Sequence, residues 1–197
     1  MYGRRALISG ITGQDGAYLS RQLVNAGYEV VGARRRGASA NTWRLEELRV
    51  LNRVRFVEMD LLEANNITRV LTDVKPAEVY NLAAQSHVQS SFDQPIYSAE
   101  VTGLGAVRLL DAIRLVDPAI RFYQASSSEM FGGAPADSSA LSEASPFRPR
   151  SPYAAAKLYA HWMTVGHREA YGRHAVSGIL FNHESPLRGV DFVTRRI

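Results

Sequence analysis

Short apolar runs alternate with longer amphipathic stretches along the chain. Six runs have the length and β-branched content of strands, at residues 6–9, 29–33, 54–58, 78–81, 120–125 and 175–181. Between them apolar positions recur with the helical period, from the turn after Gly10 to Gly27 and at residues 66–74, 95–116 and 152–171, with a short helix near Trp43. This alternation predicts an α/β fold with a mostly parallel sheet and helices on both faces.

Composition restricts the function classes without naming one. The 197 residues are 46% hydrophobic, enough for one good core, and contain no cysteine, which excludes disulfides, thiolate nucleophiles and sulfur-ligated zinc and fits a cytoplasmic location. The net charge is +4, but the arginines are dispersed, so no nucleic-acid partner is predicted. No segment reaches membrane-spanning length. No metal site is predicted either, because His161 and His167 lie too far apart along their helix.

The first turn carries the signature of a dinucleotide site. Gly10, Gly13 and Gly16 lie between the first strand and the first helix, which is the context that a doubly wound Rossmann-type fold gives to its glycine turn. Such glycines let the backbone approach a pyrophosphate, which faces the helix N-terminus. The predicted cofactor contacts in this turn are Gly10, Thr12, Gly13, Gln14, Asp15 and Gly16.

The ends of the next strands predict which dinucleotide is bound. Where NAD-binding sites place a carboxylate, this chain has three consecutive arginines, and Arg35 and Arg36 suit a 2′-phosphate, so NADP is the predicted cofactor. Two further strand ends add predicted cofactor contacts, with Asp60 and Leu61 at the adenine edge and Leu82, Ala83, Ala84, Gln85 and Ser86 along the middle.

Two groups of residues predict the chemistry. Tyr153 and Lys157 lie four residues apart at the start of a helix capped by Ser151, so they share a face, and an adjacent ammonium is expected to lower the pKa of a tyrosine. The fifth strand ends near Ser127 and Glu129, and residues two apart in an extended segment share a face. Their hydroxyl and carboxylate are therefore expected to point together at a substrate, with Glu129 removing a proton from carbon.

These motifs resemble the extended short-chain dehydrogenase/reductase superfamily and, within it, the GDP-mannose 4,6-dehydratase family. The resemblance rests on residues 10–16, 81–88, 121–132, 150–159 and 178–189, which together span nearly the whole chain. It implies a lyase that converts GDP-mannose to GDP-4-keto-6-deoxy-mannose, an early step toward deoxyhexoses. Tyr153 would take the 4-hydroxyl proton, the C4 hydride would pass to NADP and return to C6, and Glu129 would take the C5 proton as water leaves C6.

The resemblance also implies site residues that spacing alone does not give. His183 and Arg188 match cofactor contacts, Tyr97 matches a residue on the nicotinamide side, and Lys157 would also donate to a ribose hydroxyl. The implied substrate contacts are Ser86, Ser127, Glu129, Tyr153 and Asn182. Ser127 stands where the family often has threonine, which keeps the hydroxyl, and Leu187 stands where some relatives have a second arginine.

Two further expectations concern the whole protein. Relatives continue beyond Ile197 into a region that holds much of the GDP group, so residues 1–197 are expected to be an NADP-binding Rossmann-type domain whose C-terminal substrate region is largely absent, weakly active or inactive alone. The segment from Arg35 to Arg44 resembles one that relatives place against a neighbouring subunit's cofactor, which implies a homo-oligomer, a dimer or a tetramer.

Two other functions fit some of these features. A related NAD(P)-dependent sugar-nucleotide epimerase or 4-ketoreductase would use Tyr153 and Lys157 without an elimination, and Glu129 favours the dehydratase over it. A non-catalytic NADP- or nucleic-acid-binding module would fit the basic charge but would need neither residue.

Overall fold

A computed structural model describes residues 4–37, 41–133 and 140–189. Six strands are present in this part of the chain: β1 (Arg5–Ser9), β2 (Glu29–Arg34), β3 (Val54–Glu58), β4 (Glu78–Asn81), β5 (Arg121–Ser127) and β6 (Ala175–Leu180). The helices are α1 (Gln14–Asn25), α2 (Trp43–Glu47), α3 (Ala64–Val74), α4 (Val88–Asp93), α5 (Pro95–Ser98), α6 (Gly105–Val116) and α7 (Pro152–Tyr171). Short 3₁₀ turns occupy Leu51–Arg53 and Ser128–Phe131.

All six strands form one parallel sheet in the order β3-β2-β1-β4-β5-β6. The chain runs outward from β1 through β2 to β3 and then returns to β4, so β1 lies between β2 and β4. Neighbouring crossovers therefore leave in opposite directions from β1 and β4, which opens a crevice at their carboxyl ends, where Gly10 and Leu82 follow the two strands. The predicted α/β fold class and doubly wound topology are confirmed.

The core forms two layers because each strand alternates its side chains between the faces of the sheet. Leu7 and Val31 pack on one face with residues of α3 and α6, such as Leu71 and Ile113. Ile8 and its neighbours pack on the other face against α1 and the segment that follows α2. Burial on both faces explains why the central strands β1 and β2 are apolar over most of their length.

A buried carboxylate joins the amino ends of four strands, opposite the crevice. The Glu78 side chain is only 8% exposed and forms ion pairs with Arg121 and with Arg4, the latter at 3.2 Å. It also accepts hydrogen bonds from the hydroxyl groups of Tyr28 at 3.2 Å and Tyr80 at 2.6 Å. Four donors surround one carboxylate here, so its charge is compensated despite burial.

Several element boundaries differ from the predictions. The predicted helix at residues 95–116 consists of α5, a π-helical segment at Ala99–Leu104 and α6, and the short helix α4 was not predicted. The π segment lies where the helix packs closely, since a Cβ on Gly105 would be 3.0 Å from the Leu61 side chain. The sequence also predicts a helix that begins near Asp191, and that segment lies outside the described residues. Among the helices described, none combines the length and apolarity needed to cross a membrane.

Candidate active site

The glycine turn after β1 is shaped by close backbone contacts. Gly10 has φ +72°, and a Cβ there would lie 2.8 Å from the main-chain nitrogen of Ala83, so only glycine fits between the ends of β1 and β4. A Cβ on Gly16 would lie 2.5 Å from the carbonyl oxygen of Gly10. Helix α1 begins after Gly13 without a side-chain cap. Its first N–H groups are therefore available to a phosphate, which is the fit that a dinucleotide requires.

Two cavities of about 1060 and 440 Å³ meet at this turn. The larger extends along the ends of β2 and β3, and the smaller extends toward β5 and α7. Six residues line both cavities: Gly10, Gly13, Arg44, Leu82, Ala84 and Ser86. All the predicted site residues except Gln85 line one cavity or both. Gln85 instead bonds to Ser98 and to the main chain of His87.

The larger cavity carries the three predicted arginines at the end of β2. Arg34 lies over the ring of Phe56 at 4.7 Å, and the Arg35 guanidinium donates to the Tyr97 hydroxyl at 2.7 Å. Arg36, Asp60 and Leu61 line the same cavity. Tyr97, expected on the nicotinamide side, thus lies beside Arg35 in the cavity that holds the arginine cluster.

The smaller cavity brings together the residues predicted for chemistry. As expected, Ser151 caps α7, accepting from the Ala154 N–H at 3.0 Å, and Pro152 occupies the first turn. Tyr153 and Lys157 are 8% and 3% exposed and face the carboxyl end of β5. Ser127 and Glu129 line the same cavity, with Ser127 buried and Glu129 exposed.

The backbone at Ser127 and Glu129 differs from the expected extended segment. Strand β5 ends at Ser127, and a 3₁₀ turn begins at Ser128, capped by the Ser127 hydroxyl, which accepts from the Glu129 N–H at 3.2 Å. The strand alternation that placed both side chains on one face therefore ends at Ser127. The turn nevertheless leaves both side chains lining one cavity.

The pKa of Tyr153 is raised, contrary to the expectation that Lys157 would lower it. Burial is the largest cause, and the charge of Glu129 raises this pKa further, whereas a hydrogen bond with Ser127 lowers it. The Lys157 ammonium lies 5.7 Å from the centre of the Tyr153 ring and donates to the carbonyl of Ala125 at 2.7 Å. Burial lowers the pKa of Lys157 to about 8, with Asp15 opposing that shift.

A buried chain of polar side chains, which sequence reasoning missed, runs beneath the site. Ser9 donates to Asn81 at 2.6 Å, Asn81 donates to Gln124 at 2.8 Å, and Gln124 donates to the carbonyl of Ala125 at 3.0 Å. This is the carbonyl that also accepts from Lys157. The signal was available, because Ser9, Asn81 and Gln124 are polar residues near the carboxyl ends of three predicted strands.

The segment of residues 181–189 lies across the start of α1. His183 Nε2 lies 2.7 Å from Asp15 and its Nδ1 lies 2.7 Å from the carbonyl of Phe181, while Ser185 donates to Gln14 at 2.7 Å. The hydrogen bond to Phe181 and the contact with Asp15 raise the pKa of His183, with burial opposing them. The same segment brings Asn182 and Arg188 to the smaller cavity.

No group of three or more His, Asp or Glu side chains within the described residues could hold a metal ion.

Comparison with known families then gives the site a context. Residues 7–197 match the profile of the GDP-mannose 4,6 dehydratase family. The chain belongs to this family.

Individual family members agree along nearly the whole chain. GDP-mannose 4,6-dehydratase of Vibrio cholerae is 50% identical over 98% of the chain, the Arabidopsis thaliana enzyme 1 is 54% identical, and the human enzyme is 50% identical. The matches cover 54%, 55% and 53% of those proteins. The chain thus spans about half the length of these curated relatives.

Solved structures place the family's fold among sugar-nucleotide enzymes. A dTDP-glucose 4,6-dehydratase from Streptomyces venezuelae, solved with NAD, aligns with a TM-score of 0.83 at 26% identity, over 98% of this chain and 60% of that one. A UDP-glucuronic acid 4-epimerase from Bacillus cereus, also with NAD, aligns with a TM-score of 0.83 at 25% identity, covering 98% and 61%. The resemblance to the extended short-chain dehydrogenase/reductases is thereby confirmed.

Proposed function

We propose that this chain supplies the cofactor site and the reacting groups of a GDP-mannose 4,6-dehydratase, which converts GDP-mannose to GDP-4-keto-6-deoxy-mannose with loss of water. One observation carries the proposal. Tyr153, Ser127 and Glu129 line a single cavity that continues into the glycine turn at Gly10 and Gly13. A redox tyrosine and an elimination base thus share one chamber beside the dinucleotide turn, which is the combination that an internal oxidation followed by elimination requires.

NADP is the proposed cofactor. The uncapped start of α1 suits its pyrophosphate, and Arg35 and Arg36 suit its 2′-phosphate because a guanidinium binds two phosphate oxygens at once. Glu58 and Asp60 also line the larger cavity, but Arg34, Arg35 and Arg36 outnumber these two carboxylates there. A bound nicotinamide would accept the hydride from C4 of the sugar and return it at C6.

Tyr153 would act on the sugar's 4-hydroxyl. Its phenolate form would take the hydroxyl proton as C4 is oxidised, with Ser127 donating a hydrogen bond that stabilises the phenolate or the sugar oxygen. In the described chain the pKa of Tyr153 is raised by burial and by Glu129. Bound substrate and cofactor would therefore have to favour the phenolate, and a positive nicotinamide beside the ring has the required sign of charge.

Glu129 would carry out the elimination. A 4-keto group makes the C5 proton acidic, and the exposed carboxylate of Glu129, on the rim of the cavity, would take that proton and release it with the departing C6 hydroxide as water. Hydride return to C6 then leaves C5 in need of a proton, and Tyr153 holds the one taken from the 4-hydroxyl. The atoms balance with the loss of one water.

Product analysis tests the reaction. The chain alone, and a fusion with the C-terminal part of the human relative, are incubated with GDP-mannose and NADP⁺, and the nucleotide sugar is weighed by mass spectrometry. Loss of one water is the expected result for the fusion. An epimer of unchanged mass, or a reduced sugar, would contradict the dehydratase proposal.

Glu129→Gln tests the division of labour in the same assay. The variant fusion should bind NADPH as tightly as the parent and form no dehydrated product, because the amide cannot take the C5 proton. Glu143→Gln, on an exposed loop residue, serves as the matched control and should retain full turnover. Normal product formation by Glu129→Gln would contradict the assignment.

Cofactor choice is tested on the chain itself. NADPH is expected to bind at least about tenfold more tightly than NADH, because Arg35 and Arg36 gain a charge-assisted contact only with the 2′-phosphate. Replacing both arginines with glutamine should weaken the binding of NADPH and leave the affinity for NADH unchanged. Equal affinities in the unmodified chain would contradict the proposed preference for NADP, and tighter binding of NADH would favour NAD.

We also propose that the protein is a homo-oligomer, a dimer or a tetramer. The support is the likeness of the Arg35 to Arg44 segment to one that relatives set against a neighbouring subunit. Light scattering on the chain and on the fusion tests this, and a monomer in both would remove the proposal.

A further inference from the structure

In the part of the chain that the structure describes, one charged side chain lies at the junction of the two cavities. The six described residues that line both cavities are Gly10, Gly13, Leu82, Ala84, Ser86 and Arg44. Only Arg44 carries a charge. A dinucleotide that fills both cavities must pass its doubly negative pyrophosphate through this junction, so the charge of Arg44 has the right sign at the right place.

The Arg44 side chain is fixed by contacts with three parts of the fold. Its Nε donates to the carbonyl of Leu187 at 2.8 Å, and its Nη1 donates to the carbonyl of Thr12 at 3.2 Å. Its guanidinium lies 4.4 Å from the centre of the Trp43 ring. These contacts hold the guanidinium between the glycine turn and the segment of residues 181–189, and leave further N–H groups to donate.

Neutral carbonyls do not compensate the charge of Arg44. Among the described residues no carboxylate forms an ion pair with it, whereas Arg108, Arg114 and Arg121 each have one. Partial burial of the guanidinium lowers the pKa of Arg44, with no opposing charge to restore it. A half-buried, orientated and uncompensated cation is suited to an anionic ligand that arrives in the cavity.

We infer that Arg44 is a binding residue for the cofactor pyrophosphate within its own chain, and that it joins the segment of residues 181–189 to the glycine turn around that group. The inference rests on the proposed dinucleotide function and adds a contact that the sequence did not indicate. The sequence resemblance set the segment ending at Arg44 against a neighbouring subunit. In the described fold Arg44 donates to Thr12 of its own chain.

The test compares Arg44→Lys with Arg44→Gln. Both replacements can donate to one of the two carbonyls, but only lysine keeps the charge. Binding of NADPH, which contains the pyrophosphate, and of adenosine 2′-monophosphate, which does not, is measured by calorimetry. Arg69→Gln, on an exposed position of α3, controls for net charge. Thermal unfolding confirms that each variant is folded.

Arg44→Gln should weaken NADPH binding about 10- to 100-fold, and Arg44→Lys should retain most of the affinity. The affinity for adenosine 2′-monophosphate should change by less than about twofold in both variants. Equal loss in both variants, or parallel loss of adenosine 2′-monophosphate, would assign Arg44 a purely structural role and overturn the inference. Absence of NADPH and NADH binding in the folded unmodified chain would instead overturn the proposed cofactor function, and the inference with it.

A measurement without substitution remains decisive if a variant fails to fold. The side-chain Nε–H resonance of Arg44 is followed by NMR during titration of the unmodified chain. Saturation with NADPH should shift it, and saturation with adenosine 2′-monophosphate should leave it nearly unchanged. An Arg44 resonance that is insensitive to NADPH would contradict the inference.

Discussion

The Lys157 ammonium donates to the main-chain carbonyl of Ala125 at 2.7 Å, and this bond fixes the lysine to the end of β5 rather than to Tyr153. Gln124 donates to the same carbonyl at 3.0 Å, so two donors converge on one acceptor beneath the cavity. Lys157 is nearly inaccessible to solvent, and no carboxylate pairs with it among the described residues. Its charge is therefore a cost to folding that the site tolerates.

Lys157→Met should stabilise the chain at neutral pH. Folding lowers the pKa of Lys157 from 10.5 to about 8, so the full penalty applies below about pH 8 and disappears as pH rises toward 10.5. That shift corresponds to about 3 kcal/mol, and loss of the bond to Ala125 offsets about 1 kcal/mol of the gain. Urea unfolding at pH 7 and near pH 10 measures the difference, which should shrink at the higher pH.

The matched control is Lys75→Met, because Lys75 is the other lysine of the sequence and is exposed. It should change stability by less than about 0.5 kcal/mol at either pH. Destabilisation by Lys157→Met at pH 7 would show that the buried charge costs less than its hydrogen bond contributes. An effect that does not vary with pH would show that folding does not lower the pKa of Lys157.

The pKa of Tyr153 should respond in opposite directions to its two neighbours. Ser127→Ala should raise it, because the hydrogen bond that favours the phenolate is lost, and Glu129→Gln should lower it, because a repelling charge is removed. Tyrosinate absorbance during alkaline titration, taken as the difference from Tyr153→Phe in each background, measures the pKa. Ser128→Ala, in the same turn, should leave it unchanged, and equal shifts for all three would point to a general loosening of the turn.

Glu78 should contribute more to stability than a surface carboxylate. Glu78→Gln leaves Arg121 and two tyrosine hydroxyls around a neutral side chain. The free energy of unfolding should fall by about 2–3 kcal/mol. This is less than for a fully buried ion pair, because Arg4 and Arg121 are partly exposed. Glu29→Gln is the control, since Glu29 is 41% exposed and pairs with Arg5 and Arg55. Glu29→Gln should lower the free energy of unfolding by less than about 1 kcal/mol, measured with urea. Equal losses in the two variants would mean that burial adds nothing to the stability that Glu78 contributes.

The Asp15 and His183 contact should be visible as a shifted histidine titration. Asp15→Asn should lower the pKa of His183, although the bond to Phe181, the largest cause, remains. NMR of the imidazole protons measures it, and Asp60→Asn, in the larger cavity, should have no effect. Because folding raises this pKa, the stabilisation is fully present below about pH 6.5 and is lost as pH rises through the folded value. An unchanged pKa in Asp15→Asn would place the carboxylate too far away to matter.

Local patterns predicted the fold because in a doubly wound sheet the local and global requirements coincide. A strand buried on both faces is mainly apolar, a crossover is an amphipathic helix, and the turn at Gly10 must be glycine because the end of β4 is 2.8 Å from where a Cβ would lie. Capping of α7 by Ser151 followed from adjacent residues in the same way. Each of these features also shows in a short sequence pattern, so the sequence expresses them directly.

Features that depend on contacts between distant segments were not predictable in this way. Arg44 reaches a carbonyl 143 residues away, and Lys157 donates to one 32 residues away. Main-chain acceptors have no sequence signature, since every residue supplies a carbonyl. The raised pKa of Tyr153 has the same origin, because burial, which spacing does not reveal, is its largest cause.

Two glycine-to-alanine changes should have opposite effects on stability. Gly10→Ala places a Cβ against the backbone of Ala83 at φ +72°, which should destabilise the chain by more than about 2 kcal/mol and abolish NADPH binding, because the turn cannot keep its shape. Gly166→Ala lies within α7 with no atom within 4 Å of the added Cβ, so it should stabilise by about 0.5–1 kcal/mol. Urea unfolding measures both. Stabilisation by Gly10→Ala would show that the turn at the end of β1 can relax. The main chain of Ala83 would then lie farther from the added Cβ in solution than the 2.8 Å of the structure.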